Sequence, residues 1–189
     1  MDKRVVVPLT EGAEELEAVT VVDLLRRAGI EVVVAGLTGG GPVRASRGVM
    51  LTPDQPLDVV LDEPFDGVVF PGGATNAERL EGDARVLELV RRYHREGRLV
   101  AAVCAAPRVL AAAGVLEGRR ATAYPGHLEA KGFEPEDQPV VVDGNIVTSR
   151  GPGTAMDFAL TVIEYLVGWD AAAEVEAGLQ RPASHRKYR

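Results

Sequence analysis

Five short runs rich in Val, Ile and Leu recur along the chain: Arg4–Leu9, Glu31–Leu37, Gly67–Phe70, Leu99–Val103 and Ile146–Thr148. Their apolarity is continuous instead of alternating, which predicts strands covered on both faces. Between them lie longer stretches with apolar residues at helical spacing. Ala13–Ala28 places Ala18, Val21, Val22, Leu25 and Ala28 on one face and stops at Gly29, where a left-handed cap fits. Asp83–Arg95 repeats the pattern ahead of Gly97, and Thr154–Val167 ahead of Gly168. Strands alternating with helices predict an α/β fold: a mostly parallel sheet, helices on both faces and right-handed crossovers.

Two segments break the alternation. Pro42–Pro53 is short, alternating and rich in turn formers, and predicts a hairpin outside the main sheet. Pro139–Ser149 carries Asp143-Gly144 at its centre, the strongest turn signal in the chain. Asp170–Gly178 reads as a short helix. With no internal repeat, low-complexity stretch or linker, residues 1–178 are expected to form a single domain. Residues 179–189 read as a loose basic tail, with the cluster His185–Arg189 fraying into solvent.

The chain has 189 residues, 46% apolar and 26% charged, in the range of a folded globular protein. Its formal charge of −7 argues against nucleic acid or an anionic membrane as partner, because both are captured by clustered Lys and Arg. The apolar run before Thr10 is too short for a signal-peptide core or a membrane span, so a cytoplasmic location is the default expectation. Three scattered histidines without a ligand-spaced pair make a metal site improbable.

Composition leaves one chemical oddity, the single cysteine, Cys104. It cannot close an intrachain disulfide, so it is buried filler, a reactive thiol or half of an intermolecular bridge. It stands where the strand Leu99–Val103 turns toward a helix beginning near Pro107. In an open α/β sheet ligands bind beyond the carboxyl ends of the strands. Three loops are expected to meet there: Cys104 itself, Pro71-Gly72-Gly73, and Thr10-Glu11-Gly12 ahead of Glu14, Glu15 and Glu17. Small neighbours Ala102, Ala105 and Ala106 suit a tight, strained turn, and a helix start favours a thiolate. Backbone N–H groups of Gly73 and Ala105 could face an oxyanion beside the sulfur. The plainer alternative is inert packing, the common fate of a cysteine in an apolar run. Glu14 and Glu15 could equally serve the helix dipole, and spacing alone does not choose between Glu14 and Glu17 as the carboxyl beside the thiol.

The segments GAEELEAV, RRAGIEVVVAGL, VVFPGG, VAAVCAAPRVLA and TSRGPGTAMDFAL resemble the ThiJ/PfpI superfamily, in the branch of YajL and the Parkinsonism-associated deglycase (DJ-one). The resemblance runs from about Lys3 to about Ala177. It implies a flavodoxin-like αβα sandwich, a homodimer, and no cofactor. It further implies that Glu17 is the glutamate bonded to the reactive Cys104, with Gly72, Gly73 and Ala105 as the backbone groups around the thiol. Arg27 and Arg47 match arginines near the dimer interface and the site mouth. Some family features are missing. Tyr124 stands where the branch carries a histidine before proline, Ala105 stands where PfpI-type proteases carry a histidine, and Ala45 and Thr52 replace two further cysteines. The substitution at Ala105 puts peptidase activity in doubt, and His127 reads as a loop histidine more than a base.

The first functional expectation is therefore a cysteine-dependent glyoxalase or deglycase acting on small aldehydes and dicarbonyls, such as methylglyoxal, or on their protein adducts. Its rival is an oxidative-stress sensor or chaperone working through oxidation of Cys104. Nucleotide binding by the PGGATN loop is a weak third, since no strand-to-helix turn carries G-x-G-x-x-G.

Overall fold

The computed structural model describes residues 3–187. Its centre is a seven-stranded sheet in the order β5-β2-β1-β6-β7-β9-β8. The strands are β1 (Arg4–Leu9), β2 (Glu31–Gly36), β5 (Gln55–Pro56), β6 (Gly67–Phe70), β7 (Leu99–Val103), β8 (Val140–Asp143) and β9 (Ile146–Ser149). All pairings are parallel except β8 with β9, the hairpin closed by Asp143, Gly144 and Asn145. The four central strands β1, β6, β7 and β9 are almost wholly buried, as continuous Val and Ile runs require when helices cover both faces.

One face is covered by α1 (Glu15–Arg27), α6 (Ala155–Val167) and α7 (Trp169–Gly178), which bury Val21, Leu24, Leu25, Phe158 and Ile163 against the sheet. The other is covered by α2 (Leu57–Val60), α4 (Ala84–Arg95) and α5 (Pro107–Ala112), with Tyr93, Leu89 and Leu110 inside. Helix α1 starts one residue after Glu14, whose carboxylate caps it by accepting from the Glu17 N–H at 2.9 Å, and ends ahead of Gly29 at φ 75°. Because β1 is flanked by β2 on one side and β6 on the other, the connections leave its two sides over opposite faces. That divergence opens a crevice at the carboxyl ends of β1 and β6.

The segment Pro42–Pro53 forms its own two-stranded sheet, β3 (Val43–Arg44) with β4 (Met50–Leu51), outside the main one. It is fastened to the start of α1: Gly12 N–H donates to the Arg44 carbonyl at 2.8 Å, Ser46 N–H to the Ala13 carbonyl at 2.8 Å, and Arg47 N–H to Glu15 Oε1 at 2.7 Å.

Among the strands and α-helices of the described residues, three lie outside the sequence reading: β5, α2 and α3 (Ala74–Glu81). Each is short, and α3 starts at a glycine without a side-chain cap, so neither periodicity nor capping announces it. The tail also differs from the frayed segment suggested by its composition. Arg181 Nη1 reaches Asp157 at 2.8 Å and the buried Glu176 at 3.1 Å, and Lys187 Nζ reaches Glu164 at 2.9 Å. Basic residues that look idle in the sequence thus meet acids presented by α6 and α7. Tyr188 and Arg189 of the basic cluster lie outside the described residues. Among the described residues no helix is long and apolar enough to cross a membrane.

Candidate active site

Strand β7 ends at Val103, and the next residue, Cys104, has a φ of 62°, in the left-handed region that side chains avoid. That conformation costs about 1–2 kcal/mol and persists only because the surroundings hold it. Both flanking polar groups are bound: Cys104 N–H donates to the Ser149 carbonyl at 3.0 Å, and its own carbonyl accepts from Tyr124 N–H at 2.9 Å. The bend turns the thiol off the strand axis, leaving the residue 9% exposed. Ala105 and Ala106 are buried behind it, and Pro107 opens α5 at a position needing no N–H partner.

Strand β6 delivers Pro71-Gly72-Gly73 alongside. A Cβ on Gly72 would stand 2.5 Å from Glu17 Oε2 and 2.6 Å from the Cys104 Cβ, so only glycine fits between acid and thiol. Gly73 has φ 93°, and a Cβ there would run into the Gly12 carbonyl oxygen. From the third face, α1 supplies Glu17, fully buried, its Oε2 accepting from Gly72 N–H at 2.7 Å. Its Oε1 is buried with no hydrogen-bond partner, a costly situation for an ionised oxygen and a mild one for a protonated one.

Burial therefore dominates the carboxyl and pushes Glu17 up to about 7, against the pull of the Gly72 N–H and the Cys104 thiol. Burial likewise pushes the Cys104 thiol up, to about 12, with the Glu17 charge acting in the same sense and the N–H groups of Ala105 and Gly73 opposing it. This corrects the expectation that a helix start holds the sulfur as a thiolate. Helix α5 has six residues and begins three positions past Cys104, too little to outweigh burial beside a carboxylate. At neutral pH the sulfur keeps its proton and the carboxyl stands near the middle of its own titration. A carboxyl poised near 7 beside a thiol is matched to taking that proton when an electrophile arrives.

Cys104, Glu17, Gly72, Gly73 and Ala105 are thus gathered in one place. Tyr124 joins them through its backbone and forms part of the rim: it is half exposed, and its ring packs on Gly151, where a Cβ would lie 3.3 Å from Cδ2. His127 meets the Tyr124 ring edge-on, with centroids 6.2 Å apart; burial and the Arg108 charge lower its pKa, favouring neutral imidazole. Arg47 lies over the first turn of α1 through its bond to Glu15. Arg27 stands at the far end of α1, about 15 Å along the helix from Glu17, paired with Asp23 at 2.7 Å. Among the described residues no three His, Cys, Asp or Glu side chains gather as a metal would need. The sequence reading passed over Ser149, whose carbonyl anchors the strained turn, and Asn76, fully buried in α3. A polar residue in the first turn of the glycine loop's helix was the available signal for Asn76.

The sequence pattern of the DJ-1/PfpI family matches residues 3–165. Protein dj-1beta of Drosophila melanogaster is 46% identical over 182 residues, spanning 95% of this chain and 97% of that protein. The glutathione-independent glyoxalase DJR-1.2 of Caenorhabditis elegans is 35% identical over 160 residues, 84% of this chain and 85% of its own length. The crystal structure of Drosophila melanogaster DJ-1beta superposes with a TM-score of 0.92 at 44% identity, covering 96% of this chain and 100% of that one. Agreement of sequence and fold over nearly the whole length leads to one conclusion: the chain belongs to the DJ-1/PfpI family.

Proposed function

We propose that the protein is a cysteine-dependent glyoxalase that converts methylglyoxal and related small dicarbonyls to hydroxy acids without glutathione. The observation that carries this reading is the Glu17–Cys104 pair: a thiol held on a strained turn against a carboxyl whose burial tunes it near neutrality. A relative bearing the name glutathione-independent glyoxalase supports the same class of substrate.

The chemistry follows from the positions. Sulfur adds to the aldehyde carbon of methylglyoxal while the thiol proton passes to Glu17, giving a hemithioacetal whose oxygen forms beside the N–H groups of Gly73 and Ala105. Glu17 hands its proton to that oxygen, then removes the hydrogen on the same carbon, leaving an enediolate with its charge on the former ketone oxygen. Returning this proton to the neighbouring carbon, while the hydroxyl proton crosses to the charged oxygen, gives a lactoyl thioester on Cys104. Water cleaves the carbon–sulfur bond, releasing lactate and restoring the thiol. One carbon is oxidised and its neighbour reduced, so the overall change is addition of water and needs no external oxidant. Incubation with methylglyoxal in the absence of glutathione should yield lactate in proportion to protein; consumption of the dicarbonyl without lactate would sink the reading.

The chain's self-association belongs to the same reading. Leu16 and Val19 on the outer side of α1, with Val49 and Met50 on the adjoining β3–β4 hairpin, are each about half exposed and form an apolar face beside the site. A second copy packing there accounts for these residues. Light scattering should give twice 20.1 kDa, and Val19→Glu should return the single-chain mass.

A further inference from the structure

The Pro71–Asn76 stretch contains a side chain that touches none of the reacting atoms and yet faces the groups that do. Asn76 is fully buried in the first turn of α3. Its Oδ1 accepts from Thr10 N–H, at the end of β1, at 2.8 Å. Its Nδ2 donates twice, to the Pro71 carbonyl and to the Gly72 carbonyl, each at 3.1 Å. The side-chain amide therefore spends both its hydrogens on two successive peptide units of the glycine loop.

A trans peptide unit is planar, with its C=O and the following N–H pointing in opposite directions. Among the described residues there are no cis peptide bonds. Fixing the Pro71 carbonyl consequently fixes the direction of the Gly72 N–H, which donates to Glu17 Oε2 at 2.7 Å. Fixing the Gly72 carbonyl, which also accepts from Glu14 N–H at 3.1 Å, fixes the direction of the Gly73 N–H, which faces the Cys104 sulfur. Glycines impose no preference of their own on these planes. We propose that Asn76 is a positioning residue whose two amide hydrogens orient the Gly72 and Gly73 peptide planes, aiming one N–H at the Glu17 carboxyl and the next at the Cys104 sulfur. Among the side chains in contact with the loop, only one with an acceptor and a two-hydrogen donor on the same atom group serves both carbonyls and the end of β1 together.

This deepens the functional reading above and rests on Cys104 and Glu17 being its reacting pair, but its test needs no turnover. Other charged groups around the pair are few: Glu14 acts on Glu17 from the same helix, and the remaining contacts are the backbone groups of Gly72, Gly73 and Ala105. The pH dependence of alkylation by iodoacetamide reports the one cysteine directly. In Asn76→Ala the loop loses both bonds. In Asn76→Asp the acceptor for Thr10 N–H is kept, while the two-hydrogen donor is lost. Both variants should alkylate about tenfold more slowly near pH 7, as loss of a donor to a charged atom implies. A lowered melting temperature with an unchanged alkylation rate in the folded variants would overturn the proposal, since packing alone would then be Asn76's role. If neither variant folds, the wild-type protein decides by NMR: the Asn76 side-chain amide protons should shift with pH alongside the Gly72 and Gly73 amides, and side-chain signals that stay fixed while those amides move would overturn it. Failure of the wild type to make lactate leaves these readouts intact, so the two readings fail separately.

Discussion

Cys104→Ser should bring lactate formation to the uncatalysed background, and Glu17→Gln should lower it by at least about a hundredfold, the usual worth of a positioned acid–base group. The two losses have different origins, and a second measurement separates them. Serine offers a hydroxyl that a carboxyl poised near 7 cannot deprotonate, so no covalent adduct forms. Glutamine leaves the sulfur in place but cannot carry a proton between carbons. It also removes the negative charge that helps push the Cys104 thiol up. Iodoacetamide should therefore alkylate the glutamine variant at least as fast as the wild type at neutral pH, while its lactate formation collapses. If alkylation and turnover fell together, the loss would trace to ionising the thiol, and the carriage of a proton between carbons by Glu17 would have no support of its own.

The second large effect is on stability and has a definite sign. Burial raises the Glu17 carboxyl from 4.5 to about 7 in the folded chain. Between those values the folded state binds more protons than the unfolded one, so stability falls as pH rises through the window. The destabilisation is absent below about pH 4.5, grows across the interval and levels off above pH 7 at about 3 kcal/mol. Glutamine copies the neutral carboxyl in shape and carries no such cost. The unfolding free energy of Glu17→Gln relative to wild type should therefore be near zero around pH 4 and favour the variant by about 3 kcal/mol around pH 8, roughly 6–12 °C in melting temperature for a chain of this length. A difference that stays constant between the two pH values would mean that burial does not set the state of this carboxyl.

The central strands were legible in the sequence because helices cover both their faces, so burial writes itself as unbroken runs such as Val5-Val6-Val7 and Val68-Val69-Phe70. Helix α1 was legible for a complementary reason, since Ala18, Val21, Leu25 and Ala28 recur on one face and Gly29 had to end it. The hairpin at Pro42–Pro53 and the turn at Asp143-Gly144 follow from turn chemistry alone. Helix α3 was not legible. Its eight residues are too few to show a period, and the Gly73 that starts it was already explained as a loop glycine. The gathering of Cys104 with the Pro71-Gly72-Gly73 loop follows from strand ends and loop glycines, but the choice of Glu17 over Glu14 does not. Both lie within the opening turn of one helix; Glu14 caps it from outside while Glu17 points inward, a difference of about one turn that charge patterning does not register. The state of the thiol was legible least of all, because it depends on a balance between desolvation and two backbone donors that only coordinates supply.

The left-handed backbone at position 104 sets resilience against reactivity at a single joint of the fold. Glycine alone would relax that torsion, and glycine has no sulfur. Selection for heat tolerance and selection for chemistry consequently pull this codon in opposite directions, and a lineage that no longer needed the reaction would gain robustness by giving up the nucleophile before any other part of the domain.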